Sequence, residues 1–250
     1  MTPGVVAAGV LGLCVGSFLN VCIHRLPRRE SLLFPASRCP ACESRLGPAE
    51  LLPVVSYLWL KGRCRHCRAA IAPRYPLVEL LTATGYASVV AAWGLGLQAL
   101  GGMALLSVLV VALFTDLEAG IIPNRLTLAG FAMGLALLAL RPERFLPGLG
   151  GMAAGGGLLL FLSLASRGGM GLGDVKLGGV MGLFLGWPAI AVALAVAFLA
   201  GGGVGLALLL SRRKGRREPI PFGPFLVLGA VTAMFWGRAI LSWYLGSVGR

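Results

Sequence analysis

A chain of 250 residues that is 57% hydrophobic and only 12% charged, with a mean hydropathy of +0.86, excludes a soluble globular domain and reads as a polytopic membrane protein. The pI near 10.6 and net charge of +13 would suit a nucleic-acid partner, but most basic residues fall in two blocks, Arg25 to Arg74 and Arg212 to Arg217, beside apolar runs. No basic face interleaved with aromatics accompanies them, so DNA and RNA are excluded as partners and the lipid bilayer is expected as one.

In chain order, residues 4–23 form an uncharged run long enough to cross a bilayer, where about 20 residues are needed. The basic cluster follows this run, so it reads as a membrane span and not as a cleaved signal peptide. Cys14 and Cys22, within or beside it, read as small packing residues. Residues 25–75 are the one substantial polar segment. Apolar runs return at 77–97, 99–115, 126–141 and 147–165. The uncharged stretch from Leu177 to Ser211 is too long for one span and divides at Trp187-Pro188; a last span covers 223–245. The expected fold is an all-α polytopic membrane protein with about eight transmembrane helices and a small cytoplasmic segment after the first. The expected divisions are a first transmembrane helix at 1–24, a cysteine-bearing cytoplasmic segment at 25–75, and a polytopic domain at 76–250. With the N-terminus outside, 18 of the 22 Lys and Arg residues fall on the cytoplasmic side, as the positive-inside rule requires.

Within the polar segment stand Cys39-Pro40-Ala41-Cys42 and Cys64-Arg65-His66-Cys67, with 21 residues between the pairs. Two such knuckles supply four thiolates for a tetrahedral metal, and zinc is expected. A segment so poor in core residues would draw much of its folding energy from that metal. A C-x-x-C pair also serves redox chemistry, which remains the alternative. His66 reads as a solvated loop residue. Four protein ligands leave no open position for a catalytic water, so the metal is expected to be a structural staple.

The chain contains only two aspartates, Asp116 and Asp174, each at the end of a hydrophobic run. An ionisable group placed there is a functional candidate by default. The topology above puts both at the cytoplasmic boundary, where they can meet. Asp174 lies in Gly169-Met170-Gly171-Leu172-Gly173-Asp174-Val175-Lys176-Leu177, and steps of four lead from it to Gly178, Gly182 and Gly186. Small residues at that spacing admit a second helix closely, although the face drifts and Gly186 need not share it. Two carboxylates at one site resist carrying charge together, so one can hold a proton while the other takes one from an attacking water. The glycines would let backbone approach an extended substrate, and Lys176 either influences one acid or serves as an interfacial basic residue. Three other readings stand beside hydrolysis. Asp174 could simply cap a helix, the acids could serve a proton-coupled transporter, or the chain could be an assembly factor with a zinc-stapled loop.

These residues resemble the prepilin peptidase family, membrane aspartic proteases that process type IV pilins and type II secretion pseudopilins. The likeness runs through Gly16-Ser17-Phe18-Leu19-Asn20-Val21, His24-Arg25-Leu26-Pro27, Ser37-Arg38-Cys39-Pro40 and Lys61 to Cys67. It continues through Arg74-Tyr75-Pro76-Leu77-Val78-Glu79, Asp116-Leu117-Glu118, Ile122-Pro123-Asn124, Gly169 to Leu177 and Pro221-Phe222-Gly223-Pro224. The resemblance implies that Asp116 and Asp174 are the catalytic pair, with Gly171, Gly173 and Lys176 as the supporting motif. It implies cleavage of a basic leader at the cytoplasmic face of a bacterial inner membrane, then N-methylation of the new N-terminal residue with S-adenosylmethionine. It also places Gly62 where a methylation-linked glycine stands. The residues themselves reveal no binding site for that cofactor.

Overall fold

The computed structural model describes residues 2–166, 170–211 and 221–248. Arg167, Gly169, the block Arg212 to Arg217 and Arg250 lie outside them. Among the described residues are nine α-helices and no strand, with only two isolated antiparallel bridges. The helices are α1 (Pro3–Arg25), α2 (Val55–Trp59), α3 (Arg74–Trp93), α4 (Leu97–Ala119), α5 (Asn124–Ala139), α6 (Pro142–Ala165), α7 (Leu172–Leu185), α8 (Ala189–Leu210) and α9 (Gly223–Val248). Five of them, α1, α4, α6, α8 and α9, are long and apolar enough to cross a membrane; α5 is apolar but shorter, at 16 residues. The chain is thus an all-helical, multi-pass membrane protein. At 14 residues α7 is about 21 Å long, less than the ~30 Å hydrocarbon core.

The chain divides into two compact units, Met1–Val111 and Ala112–Arg250, with the boundary inside α4. In the first unit α1 packs along α3. Gly12 and Gly16 make this possible, since a Cβ on either would come within 2.6 or 2.7 Å of the Cα of Ala83 or Glu79. Pro3 at the first turn and His24 and Arg25 in the last give α1 favourable ends.

In the second unit α7 is the central element and contacts α5, α6, α8 and α9. It is buried on nearly every side from Leu177 to Leu183, and uniform apolarity is what such a position demands. Its seam with α6 is built from paired glycines: Gly178 meets Gly155, and Gly182 meets Gly151 backbone to backbone. The close-packed face expected from the spacing of four is therefore present at Gly178 and Gly182. Gly186, at φ +72°, ends the helix yet stays on that face: its Cα lies 2.9 Å from where a Cβ on Gly151 would stand. The chain then turns beneath α6, where the Trp187 N–H donates to the Pro147 carbonyl at 2.9 Å.

Candidate active site and metal centre

Asp116 lies near the end of α4 and Asp174 in the first turn of α7, both within the second unit and both buried. Their carboxyl groups lie within electrostatic reach of one another. Each also sits at a helix N-terminus. Asp174 occupies the third position of α7, while the Gly223 N–H that opens α9 donates to Asp116 Oδ2 at 2.9 Å. Unsatisfied N–H groups at helix starts favour negative charge, so the fold positions both acids with backbone and, among the described residues, with no cationic partner.

Gly223 is the residue that the aspartate reading missed. A Cβ there would fall 2.6 Å from Asp116 Oδ2, so only glycine lets the N–H approach. The signal in the sequence was the Pro221-Phe222-Gly223-Pro224 helix start, but its partner lies 107 residues away. Of the motif glycines, Gly173 is confined: its Cβ would lie 3.0 Å from that of Ile122. Gly171 is open, with a Cβ at an ordinary 3.5 Å from Asp174 Oδ2. Lys176 turns to α5, donating from Nζ to Asn124 Oδ1 at 2.7 Å. It joins the start of α7 to the Ile122-Pro123-Asn124 corner.

In the first unit the four cysteines converge, their Sγ atoms all within 4.8 Å of one another. Cys39 and Cys67 Sγ are 3.8 Å apart, and all six cysteines are free thiols. A zinc–sulfur distance of about 2.3 Å puts tetrahedral sulfurs roughly 3.8 Å apart, so the cluster could hold a metal ion of that kind. The two knuckles repeat each other. Cys39 donates its N–H to the Ser44 carbonyl at 3.0 Å and Cys64 to the Ala69 carbonyl at 2.8 Å. The residue after each second cysteine, Glu43 (φ 55°) or Arg68 (φ 61°), is left-handed and donates back to Cys39 or Cys64. One bridge closes each, Arg38 with Arg45 and Arg63 with Ala70. Ser44, which has no hydroxyl counterpart in the second knuckle, hydrogen-bonds Cys42 at 2.9 Å and brings that thiol down to about 6. His66 contributes no ligand atom to the cluster.

Gly62 is held by its own backbone needs. Its φ is +67°, its N–H donates to the Tyr57 carbonyl at 2.9 Å, and a Cβ would press within 3.1 Å of the Tyr57 ring.

Two family models match the chain: the bacterial peptidase A24 N-terminal domain over residues 10–93, and the type IV leader peptidase family over 103–206. The prepilin leader peptidase/N-methyltransferase of Aeromonas salmonicida (strain A449) is 39% identical over 275 residues, covering 96% of this chain and 93% of the relative. The chain belongs to the type IV leader peptidase family. The like-named protein of Bacillus subtilis (strain 168) is 35% identical, over 94% of this chain and 96% of its own length. That of Legionella pneumophila is 32% identical over 95% and 93%. No solved structure matches. Membership makes the chain a membrane-embedded leader peptidase of aspartic type, which leaves neither a pure transporter nor a non-enzymatic assembly factor as its description.

Proposed function

We propose that this enzyme removes the basic leader from type IV prepilins or type II secretion pseudopilins, with Asp116 and Asp174 as the catalytic pair. The observation that carries the residue assignment is the approach of these two buried acids at helix N-termini. One carboxylate takes a proton from the attacking water, and the other carboxyl gives its proton to the carbonyl oxygen of the scissile bond. The protons return as the tetrahedral intermediate collapses and the amine leaves. The Gly223 N–H holds Asp116, Gly173 lets α7 begin tightly against Ile122, and Lys176 fixes that corner through Asn124. Exposed Leu117, Ile121 and Leu172 beside the acids suit an apolar substrate stretch.

Asp116→Asn and Asp174→Asn should each lower cleavage of a prepilin-like substrate by roughly a hundred- to ten-thousandfold. The double variant should be scarcely worse than either single one, because the two act as a unit. Insertion and bound metal should be unchanged. Asparagine is itself a good helix cap, so a nearly silent Asp174→Asn would return that acid to a capping role.

The second activity, N-methylation of the new terminal amine, is proposed from the relatives' names, with S-adenosylmethionine as donor and Gly62 linked to it by resemblance. Cys39, Cys42, Cys64 and Cys67 would hold a zinc ion whose contribution is structural, ordering residues 25–75 between the first helix and the peptidase part at 76–250. About eight spans are proposed in a bacterial inner membrane, with the N-terminus outside and the acids and thiols cytoplasmic. A reporter fused after Ala70 should then read as cytoplasmic and one after Glu143 as external. Opposite signals would invert this topology.

A further inference from the structure

The segment between the knuckles carries an apolar stripe that neither the acids nor the thiols explain. Leu51, Leu52, Val55, Leu58 and Trp59 lie in the 3₁₀ turn Pro48–Leu51, the bend that follows it and α2, and all five are between 44% and 74% exposed. Across α2, half-buried Tyr57 instead turns its ring to Gly62. The stripe is also held at a fixed height. The Val54 N–H, at the start of α2, donates to Glu79 Oε2 at 2.7 Å. Val54 adopts φ 61°, an outlier for a β-branched residue that persists only where the surroundings impose it. Glu79 is a buried acid five residues into α3, about 7.5 Å along its axis. Leu77, Leu80 and Leu81, which share that level of α3, are exposed apolar residues on the same helix.

We propose that Leu51, Leu52, Val55, Leu58 and Trp59 form an interfacial anchor that lies in the bilayer surface among anionic headgroups, beside the first turns of α3. The inference rests on the proposed spans, in which α1 and α3 both cross the membrane, α3 not being among the five helices named above. With the bilayer surface taken at the first residue of α3, the rise to Glu79 equals the depth of about 5–10 Å at which interfacial helices bury their apolar face. Tryptophan favours that layer, and the exposed Lys61, Arg63, Arg65 and Arg68 that follow complement anionic lipid. A substrate helix would explain the apolar residues but not the adjoining positive charge, since the leader expected here is itself basic. The anchor presses the cysteine-bearing segment to the membrane surface, and Glu79 is its positioning residue.

Full-length protein in vesicles of phosphatidylethanolamine and phosphatidylglycerol, with p-benzoylphenylalanine replacing Leu58, Leu81 or Arg65 one at a time, tests this. Illumination should give lipid adducts at Leu58 and Leu81 in comparable yield and a lower yield at Arg65, which faces headgroups and not acyl chains. Adducts at Leu81 but not Leu58 would overturn the anchor while leaving α3 in lipid. None at Leu81 would remove the membrane span and the anchor with it. Adducts at Leu58 to a second chain, or to added prepilin in place of lipid, would also overturn it. A variant retaining Trp59 as its sole tryptophan gives an independent reading. Its emission should be quenched by lipids brominated near the headgroup and spared by aqueous acrylamide, and the reverse pattern would overturn the anchor. Glu79→Ala, which removes the acceptor that Gln would keep, should shift that quenching toward acrylamide; unchanged quenching would strike Glu79 from the positioning role. Replacing phosphatidylglycerol by phosphatidylcholine should reduce quenching by lipid; an equal value would overturn the anionic assignment.

Discussion

Among the described residues around the two aspartates the chain is almost wholly regular helix, with short corners at Ile122-Pro123 and Trp187-Pro188, whereas residues 26–73 hold only a four-residue 3₁₀ turn and a five-residue helix. Among the described residues, the five non-glycine residues with positive φ, namely Arg29, Glu43, Val54, Lys61 and Arg68, fall in that second region. Each left-handed residue costs about 1–2 kcal/mol, a load that a four-thiolate metal site contributing on the order of 10 kcal/mol can offset. The acid site is ordered by backbone hydrogen bonds inside helices and by glycine seams between them. The cysteine segment has little of the first and none of the second, and two of its buried side chains are the thiols of Cys39 and Cys64. The difference implies that the two regions fail separately. Changes to the acids abolish chemistry without unfolding, and changes to the thiols unfold a region without touching the acids.

The sharpest break of that contrast comes after the aspartate variants. Cys39→Ser with Cys64→Ser should remove about one zinc per chain, measured by metal analysis of purified protein, and expose residues 26–73 to protease while the helices stay resistant. Full metal content, or equal loss of the helices, would end the claim of separate order.

Next in size is Gly223→Ala. Its methyl would enter the space 2.6 Å from Asp116 Oδ2, so leader cleavage should fall by about tenfold or more, measured as kcat/KM with zinc unchanged. Gly171→Ala, in ordinary contact with Asp174, should cost much less. Equal effects would mean that backbone contact is not what sets the acids.

The smallest effect concerns pH. The Ser44 hydroxyl holds the Cys42 thiol low, at about 6, so thiolate persists to lower pH there than in an unassisted knuckle. Ser44→Ala raises that pKa toward the ordinary cysteine range and lets protons compete earlier. Metal should then be lost at a higher pH during acidification, followed by a chromogenic chelator. A lower or unmoved midpoint would remove Ser44 from the site.

Much of this was legible in the sequence because membranes demand uniform apolarity. The runs at 99–115 and 147–165 correspond to Leu97–Ala119 and Pro142–Ala165, the helices simply extending past the apolar core through polar ends. Pro147 did not delay α6: it stands inside the helix at the sixth position, past the first turn where proline is at home. The thiol cluster was legible from spacing. The twin hydrogen-bond pattern of the knuckles was not, because Glu43 and Arg68 share a conformation without sharing a side chain. The bond from Gly223 to Asp116 was hidden for another reason: a glycine announces room, not the identity of the group that fills it.

The glycine seam between α6 and α7 has a further consequence for how a substrate can enter. At Gly151 and Gly182 carbonyl faces backbone with no side chain between, and Gly155 and Gly178 repeat this one turn away. Sliding either helix by one residue would drive a neighbouring side chain into a peptide plane, so the contact behaves as an interlock and not as a lubricated surface. Asp174 is therefore fixed to a two-helix strut. Any movement that separates the two acids must then come from the elements that carry Asp116, the end of α4 and the opening turn of α9.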